Sequence, residues 1–216
     1  MAGARFTLHR LAGLLVAGWL AGCAAMPTPS YQPSVDTTQL LLQRRDASMA
    51  AGAFSAASDV PNRTLAVRAN QLSADGIDGT FSGYLRNALI IELKTAGRFD
   101  EDSPIRIDGT LLRNELNAGA GTGSATLETH FTVTRRGARI YDKSLTVVHK
   151  WDSSFMGAIA IPAAVQNYVG AVQKLLQKFL TDPDFVRALG QRSAQSAQSA
   201  LSSTRIRTGD PGKLVR

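Results

Sequence analysis

Ala125-Thr-Leu-Glu-Thr-His-Phe-Thr-Val-Thr-Arg135 alternates apolar and polar side chains along almost its whole length. In an extended chain Ala125, Leu127, Phe131 and Val133 share one face, with Thr126, Glu128, His130, Thr132 and Thr134 on the other. This is the pattern of a strand with one buried and one wetter face. Ile105 to Asn114 and Ala138 to His149 flank it with strand-like runs of their own, so an antiparallel meander is expected. Arg136-Gly137 supplies a tight turn that sets Val133 opposite Ile140. Continued unchanged, that register sets Phe131 opposite Asp142, whereas a shift of one residue sets Leu127 opposite Leu145. A bulge near Tyr141-Asp142 is therefore expected.

Outward from the meander the period changes. Phe81, Leu85, Leu89, Leu93 and Ala96 recur at helical spacing, which predicts an amphipathic helix over Thr80 to Ala96. Asp78 or Thr80 can cap it, and Gly97 can end it in the left-handed conformation. A second helix is predicted to begin at Pro162, a residue suited to a first helical turn, and to run to about Leu180. Its stripe is Val165, Val169, Val172, Leu176 and Phe179, and Phe185, Val186 and Leu189 form one last docked turn. Two further strands are read at Ser48 to Phe54 and Thr64 to Ala69. The fold class expected is α+β, with an antiparallel sheet of four to five strands and two helices packed on one face.

Trp151 to Pro162 is unusual for a connection between a strand and a helix. It carries Phe155, Met156, Ile159 and Ile161, and no charge occurs between Asp152 and Lys174. Either this loop folds over an open end of the core or these four side chains form a contact surface for a partner or a lipid. The glycine-rich string from Asn117 to Ser124 has strands on both sides and no following Gly-Lys-Ser/Thr, which argues for a hairpin loop against a phosphate cradle.

The net charge of +7 resides at the ends of the chain. Residues 23–186 hold equal numbers of basic and acidic side chains, so no nucleic-acid partner is expected. His130 and His149 are the histidines left after the first 22 residues, and their register keeps them apart, so no metal site is expected. HExxH, GxSxG and paired-cysteine motifs are absent. No catalytic residue is assigned and no enzyme is expected; an unrecognised envelope hydrolase, built from acids distant in sequence, is the remote alternative.

Near the amino terminus, Leu20-Ala21-Gly22-Cys23 resembles the lipobox of bacterial lipoproteins, in which the cysteine thiolate accepts a diacylglyceryl group and cleavage leaves an N-acylated first residue. The apolar run before it, Leu11 to Leu20, is shorter than the roughly 20 residues of a membrane span and follows Arg5, His9 and Arg10. Cys23 is the only cysteine, so its acylation would leave no thiol for a disulfide or a metal. Residues 1–22 are read as a signal peptide, 23–47 as a mobile tether broken by Pro27, Pro29 and Pro33, 48–186 as a periplasmic domain and 187–216 as a basic, low-complexity tail. Ala24 after the cysteine implies, by the same resemblance, sorting to the outer membrane of a Gram-negative cell.

Together with the Tyr84-Leu85-Arg86 to Gly97-Arg98-Phe99 helix and the Trp151–Pro162 loop, this organisation resembles the small outer-membrane lipoproteins of the YajG type. It is more loosely similar to the auxiliary lipoproteins of ABC lipid transporters and to the LPS-assembly lipoprotein. The resemblance implies a non-enzymatic interaction module for an envelope transport or assembly machine. It implies no cofactor beyond the diacylglyceryl and N-acyl groups on Cys23, and it implies an envelope protein as partner. The alternative is a periplasmic protein that binds lipid or glycolipid between helices and sheet.

Overall fold

A computed structural model of the chain describes residues 25–44, 47–74 and 78–190. Within them the meander is present and longer than its alternation suggests. The element order is β1 (Met26–Pro27), α1 (Val35–Gln43), β2 (Ala50–Ala56), β3 (Thr64–Val67), β4 (Asn70–Ser73), α2 (Phe81–Thr95), β5 (Ile105–Ala118), β6 (Thr122–Arg135), β7 (Ala138–Asp152) and α3 (Gly157–Leu180). A last helical stretch, α4, covers residues 183–190.

β5, β6 and β7 pair antiparallel, and β2 lies on the free side of β5, giving the order β2-β5-β6-β7. β2 runs parallel to β5, so the sheet is mixed and not the antiparallel one expected. The cause is the connection: chain leaving β2 returns to β5 through α2, and a helical crossover brings the next strand in with the same direction. β3 also departs from expectation, because it does not join this sheet. It turns at Arg68-Ala69 into β4, and β1 adds to β4 in parallel, forming a second mixed sheet of three strands.

Two bulges set which residues face inward. On β5 the register shifts between Leu111 and Arg113, so Ile105, Ile107 and Leu111 are buried before the shift and Asn114, Leu116 and Ala118 after it. That change of phase hid the second half of the strand from a period-two reading. At the other hairpin Arg136 and Gly137 both adopt positive φ, as a two-residue turn requires. The bulge beyond it centres on Ile140, next to its expected place, but the extra residue lies on β7 and the register moves in the opposite sense. Leu127 therefore pairs with Val147, and Leu145 pairs with Thr129.

α2 and α3 cover the inner face of the large sheet, as expected, but the described residues hold four helices and not two. α1 packs on α2. Thr80 caps α2 by accepting the Gly83 amide at 3.0 Å, and Gly97 at φ 63° ends it. Between helices and sheet, Phe131 stacks on Phe179 with centroids 4.2 Å apart, Phe185 lies tilted against Phe179 at 4.5 Å, and Phe81 meets Tyr168 edge-on at 5.3 Å.

The region read as a mobile tether is folded against this core from Ala25 onward. Thr28, Tyr31, Thr37 and Leu41 are buried. Thr28 Oγ1 donates to the Ser73 carbonyl at 2.7 Å, Tyr84 Oη to the Pro29 carbonyl at 2.9 Å and Gln173 Nε2 to the Gln32 carbonyl at 2.9 Å. A proline-broken segment has no regular hydrogen-bond pattern within itself, yet its donors and carbonyls remain free to pair with groups elsewhere in the fold. Those partners lie far away in sequence, so the segment alone looks like free linker.

Candidate functional site

Three connections meet at one end of the large sheet: the β3–β4 turn, the β5–β6 hairpin loop and the link from β7 to α3. Arg68 joins them. Its guanidinium donates from Nε to the Ala118 carbonyl at 2.6 Å and from Nη2 to the carbonyls of Gly119 at 3.2 Å and Ser154 at 2.7 Å. Nη1 donates to the Phe155 carbonyl at 2.9 Å. Arg68 has φ 55°, a left-handed conformation that costs a non-glycine residue energy, and its contacts hold it there.

The glycine-rich string is a short, ordered loop between β5 and β6. Gly123 pairs with Trp151 across the ladder, and a Cβ at Gly123 would lie 2.1 Å from Cε2 of the Trp151 indole. The indole thus lies over bare backbone, a packing only glycine permits. The Ser153 amide extends the ladder by donating to the Gly121 carbonyl at 3.0 Å.

On this platform stand Phe155, Met156 and Ile159, which are 79%, 49% and 55% exposed. Ile161, expected to belong with them, is half-buried and packs against the core. The difference follows from where α3 starts. It begins at Gly157, before Pro162, so Ile159 and Ile161 sit on a helix and point in different directions. Pro162 lacks the N–H that would pair with the Ala158 carbonyl, and Ala158 is exposed to water. The apex is thus three apolar side chains on a link of four residues, 153–156, and the first turn of a helix.

The two histidines lie on opposite faces of the sheet. His130 pairs with Ser144; its Nδ1 lies 3.0 Å from Ser144 Oγ and its Nε2 2.7 Å from Asp142 Oδ1. His149 faces the helices, with Nε2 2.9 Å from Asn167 Oδ1 and Nδ1 2.7 Å from Lys174 Nζ. Burial and then the Lys174 charge push its pKa down, favouring neutral imidazole. Among the described residues no group of three or more His, Cys, Asp or Glu side chains is placed to hold a metal. In Asp100 to Asp102, the Asp102 amide donates to Asp100 Oδ1 at 3.1 Å, the geometry of a turn.

The region between helices and sheet is filled by Phe131, Tyr168, Phe179, Phe185 and Leu127, all buried. Cys23 and the lipobox residues Leu20, Ala21 and Gly22 lie outside the described residues, as does the tail from residue 191. No described helix is long and apolar enough to cross a membrane. Sequence reasoning missed Arg68 altogether, since neither a left-handed arginine nor its carbonyl partners leave a pattern in the chain.

No protein-family model matches the sequence, and no curated protein matches it. A putative lipoprotein from Caulobacter crescentus is 18% identical over 71% of this chain and 96% of its own, at a TM-score of 0.41, too low to carry an argument. Protein XCC0632 from Xanthomonas campestris, a DUF330 protein, is 17% identical over 79% of this chain and 95% of its own. With a TM-score of 0.50 it is similar to this chain in fold.

Proposed function

We propose that this chain is a lipoprotein, anchored by acylated Cys23 in the outer membrane of a Gram-negative cell, that serves an envelope transport or assembly machine by contact and without catalysis. The observation that carries the reading is the apex: Phe155, Met156 and Ile159 project into solvent from a platform that Arg68 braces through four carbonyls. Apolar side chains held this rigidly in the open are a contact surface, because holding them there forfeits burial that a floppy loop would recover. Leu20-Ala21-Gly22-Cys23 supplies the address.

The test is purification of the full chain from its own membranes in mild detergent, with mass spectrometry of the N-terminal peptide and of co-purifying proteins. A peptide that begins at Cys23 and carries diacylglyceryl and N-acyl groups, together with a stoichiometric envelope protein, is expected. An unmodified cysteine would remove the anchor from the proposal, and a chain recovered without partner protein would remove the machine.

A further inference from the structure

We propose that the Phe155, Met156 and Ile159 apex is seated in the same lipid surface that receives the Cys23 acyl chains, so that the domain stands fixed on the bilayer. This rests on the reading of Cys23 as the acylated residue, and it deepens the contact reading by giving the apex lipid as its counterpart, so that the protein of the machine meets another face of the domain. The first support is the docked amino-terminal segment. β1 pairs in parallel with β4, Met26 beside Leu72 and Pro27 beside Ser73, so its amino-terminal end is directed toward Asn70 and the Arg68-Ala69 turn. That turn is the one whose arginine grips the Ser154 and Phe155 carbonyls. The chain therefore enters the fold at the end where the apex projects. Two peptide links from Ala25 to Cys23 span at most about 7 Å, so an acylated Cys23 holds this end of the domain against the headgroups.

The second support is the chemistry of the apex. Residues 153–173 carry no charged side chain, and the Arg68 guanidinium beneath the apex is already engaged by four carbonyls. The carbonyls at its tip are satisfied from within. The Ser154 and Phe155 carbonyls accept from Arg68, the Met156 carbonyl accepts from the Ile159 and Ala160 amides, and the Met156 amide donates to Ser154 Oγ at 3.1 Å. Backbone that enters an apolar phase needs such internal partners, because lipid offers none. An anchor of several acyl chains already suffices for stable attachment. What the apex adds is orientation: a second point of contact stops the domain from rotating about its anchor.

The experiment uses the full, acylated chain in vesicles of phosphatidylethanolamine and phosphatidylglycerol. Phe155→Cys is labelled with an environment-sensitive fluorophore, and Ala138→Cys, at the far end of β7 and roughly 45 Å away along the strand, is the comparison site. Both positions are exposed, so neither substitution removes packing. The result expected is loss of most emission at position 155 when the lipids carry spin labels within the outer ~10 Å of the bilayer, with no loss at position 138. Equal, undiminished emission from both sites on vesicle-bound protein would overturn the seat while leaving the anchor standing. Photocrosslinks from position 155 to a protein instead of lipid, in native membranes, would overturn it in favour of a protein partner. Uptake of label by the unsubstituted chain, whose one cysteine is Cys23, would mean a free thiol and would overturn the lipoprotein reading beneath it.

Discussion

Tyr31 Oη donates a 2.5 Å hydrogen bond to Glu92 Oε1, and the two residues are 61 positions apart. The Ser34 amide donates to the same oxygen at 2.8 Å, so one carboxyl oxygen on α2 holds the amino-terminal segment in place. Glu92 is fully buried, and its Oε2 has no hydrogen-bond partner among the described residues. Burial raises its pKa, against the lowering effect of the two bonds.

The sign of the pH dependence follows. A carboxyl whose pKa is higher folded than unfolded adds stability below the unfolded pKa, and that stability is lost as pH rises from about 4 through the folded value. Glu92→Gln keeps an oxygen to accept from Tyr31 and Ser34 while removing the charge. Urea unfolding across that pH range is expected to show the wild type weakening as pH rises and the variant holding level. A variant that weakens in parallel would assign the titration elsewhere.

Arg68→Lys tests the brace. An ammonium on a flexible stem cannot copy a planar fork that reaches four carbonyls. The expected cost is about 1–3 kcal/mol. Hydrogen exchange is expected to quicken over residues 153–160 well beyond any change in the middle of β6.

Gly123→Ala places a methyl group into the Trp151 indole and is expected to cost about 1–3 kcal/mol. Trp151→Leu in the same chain removes the obstacle, so the double variant is expected to lose less than the sum of the two single ones. Additive losses in denaturant unfolding would mean the two positions do not meet.

Asp182 is buried and does two jobs. Its Oδ1 accepts the Asp184 amide at 3.0 Å, at the start of α4, and its Oδ2 accepts from Lys143 Nζ at 2.8 Å. Asp182→Ala is expected to cost about 1–2 kcal/mol through the cap alone and to loosen the docking of Phe185. Asp182→Asn keeps an oxygen for the cap, so the difference between the two variants in thermal unfolding isolates the cap from the ion pair.

α2 and β6 were legible because each carries one mainly apolar face along its length, and the period survives the buried Thr129 on β6 and the buried Ser82 and Glu92 on α2. β4 was missed because Asn70 to Ser73 buries a single large side chain, Leu72. The docked segment from Ala25 was missed because its partners, Ser73, Tyr84, Glu92 and Gln173, come from elsewhere in the chain. At the site, Phe155, Met156 and Ile159 stood out as apolar residues in a connection, while placing the helix start at Pro162 kept Ile161 among them wrongly. Arg68 left no trace because its acceptors lie 50 or more positions away.

The bulges at Leu112 and Ile140 bear on kinship as well as on shape. A bulge exchanges inward and outward positions for the rest of its strand. Two chains that build the same sheet but bulge at different residues will, written one above the other, set the core side chains of one against the solvent side chains of the other. Their likeness then survives in space while their text diverges, and descent has to be traced through the folded backbone.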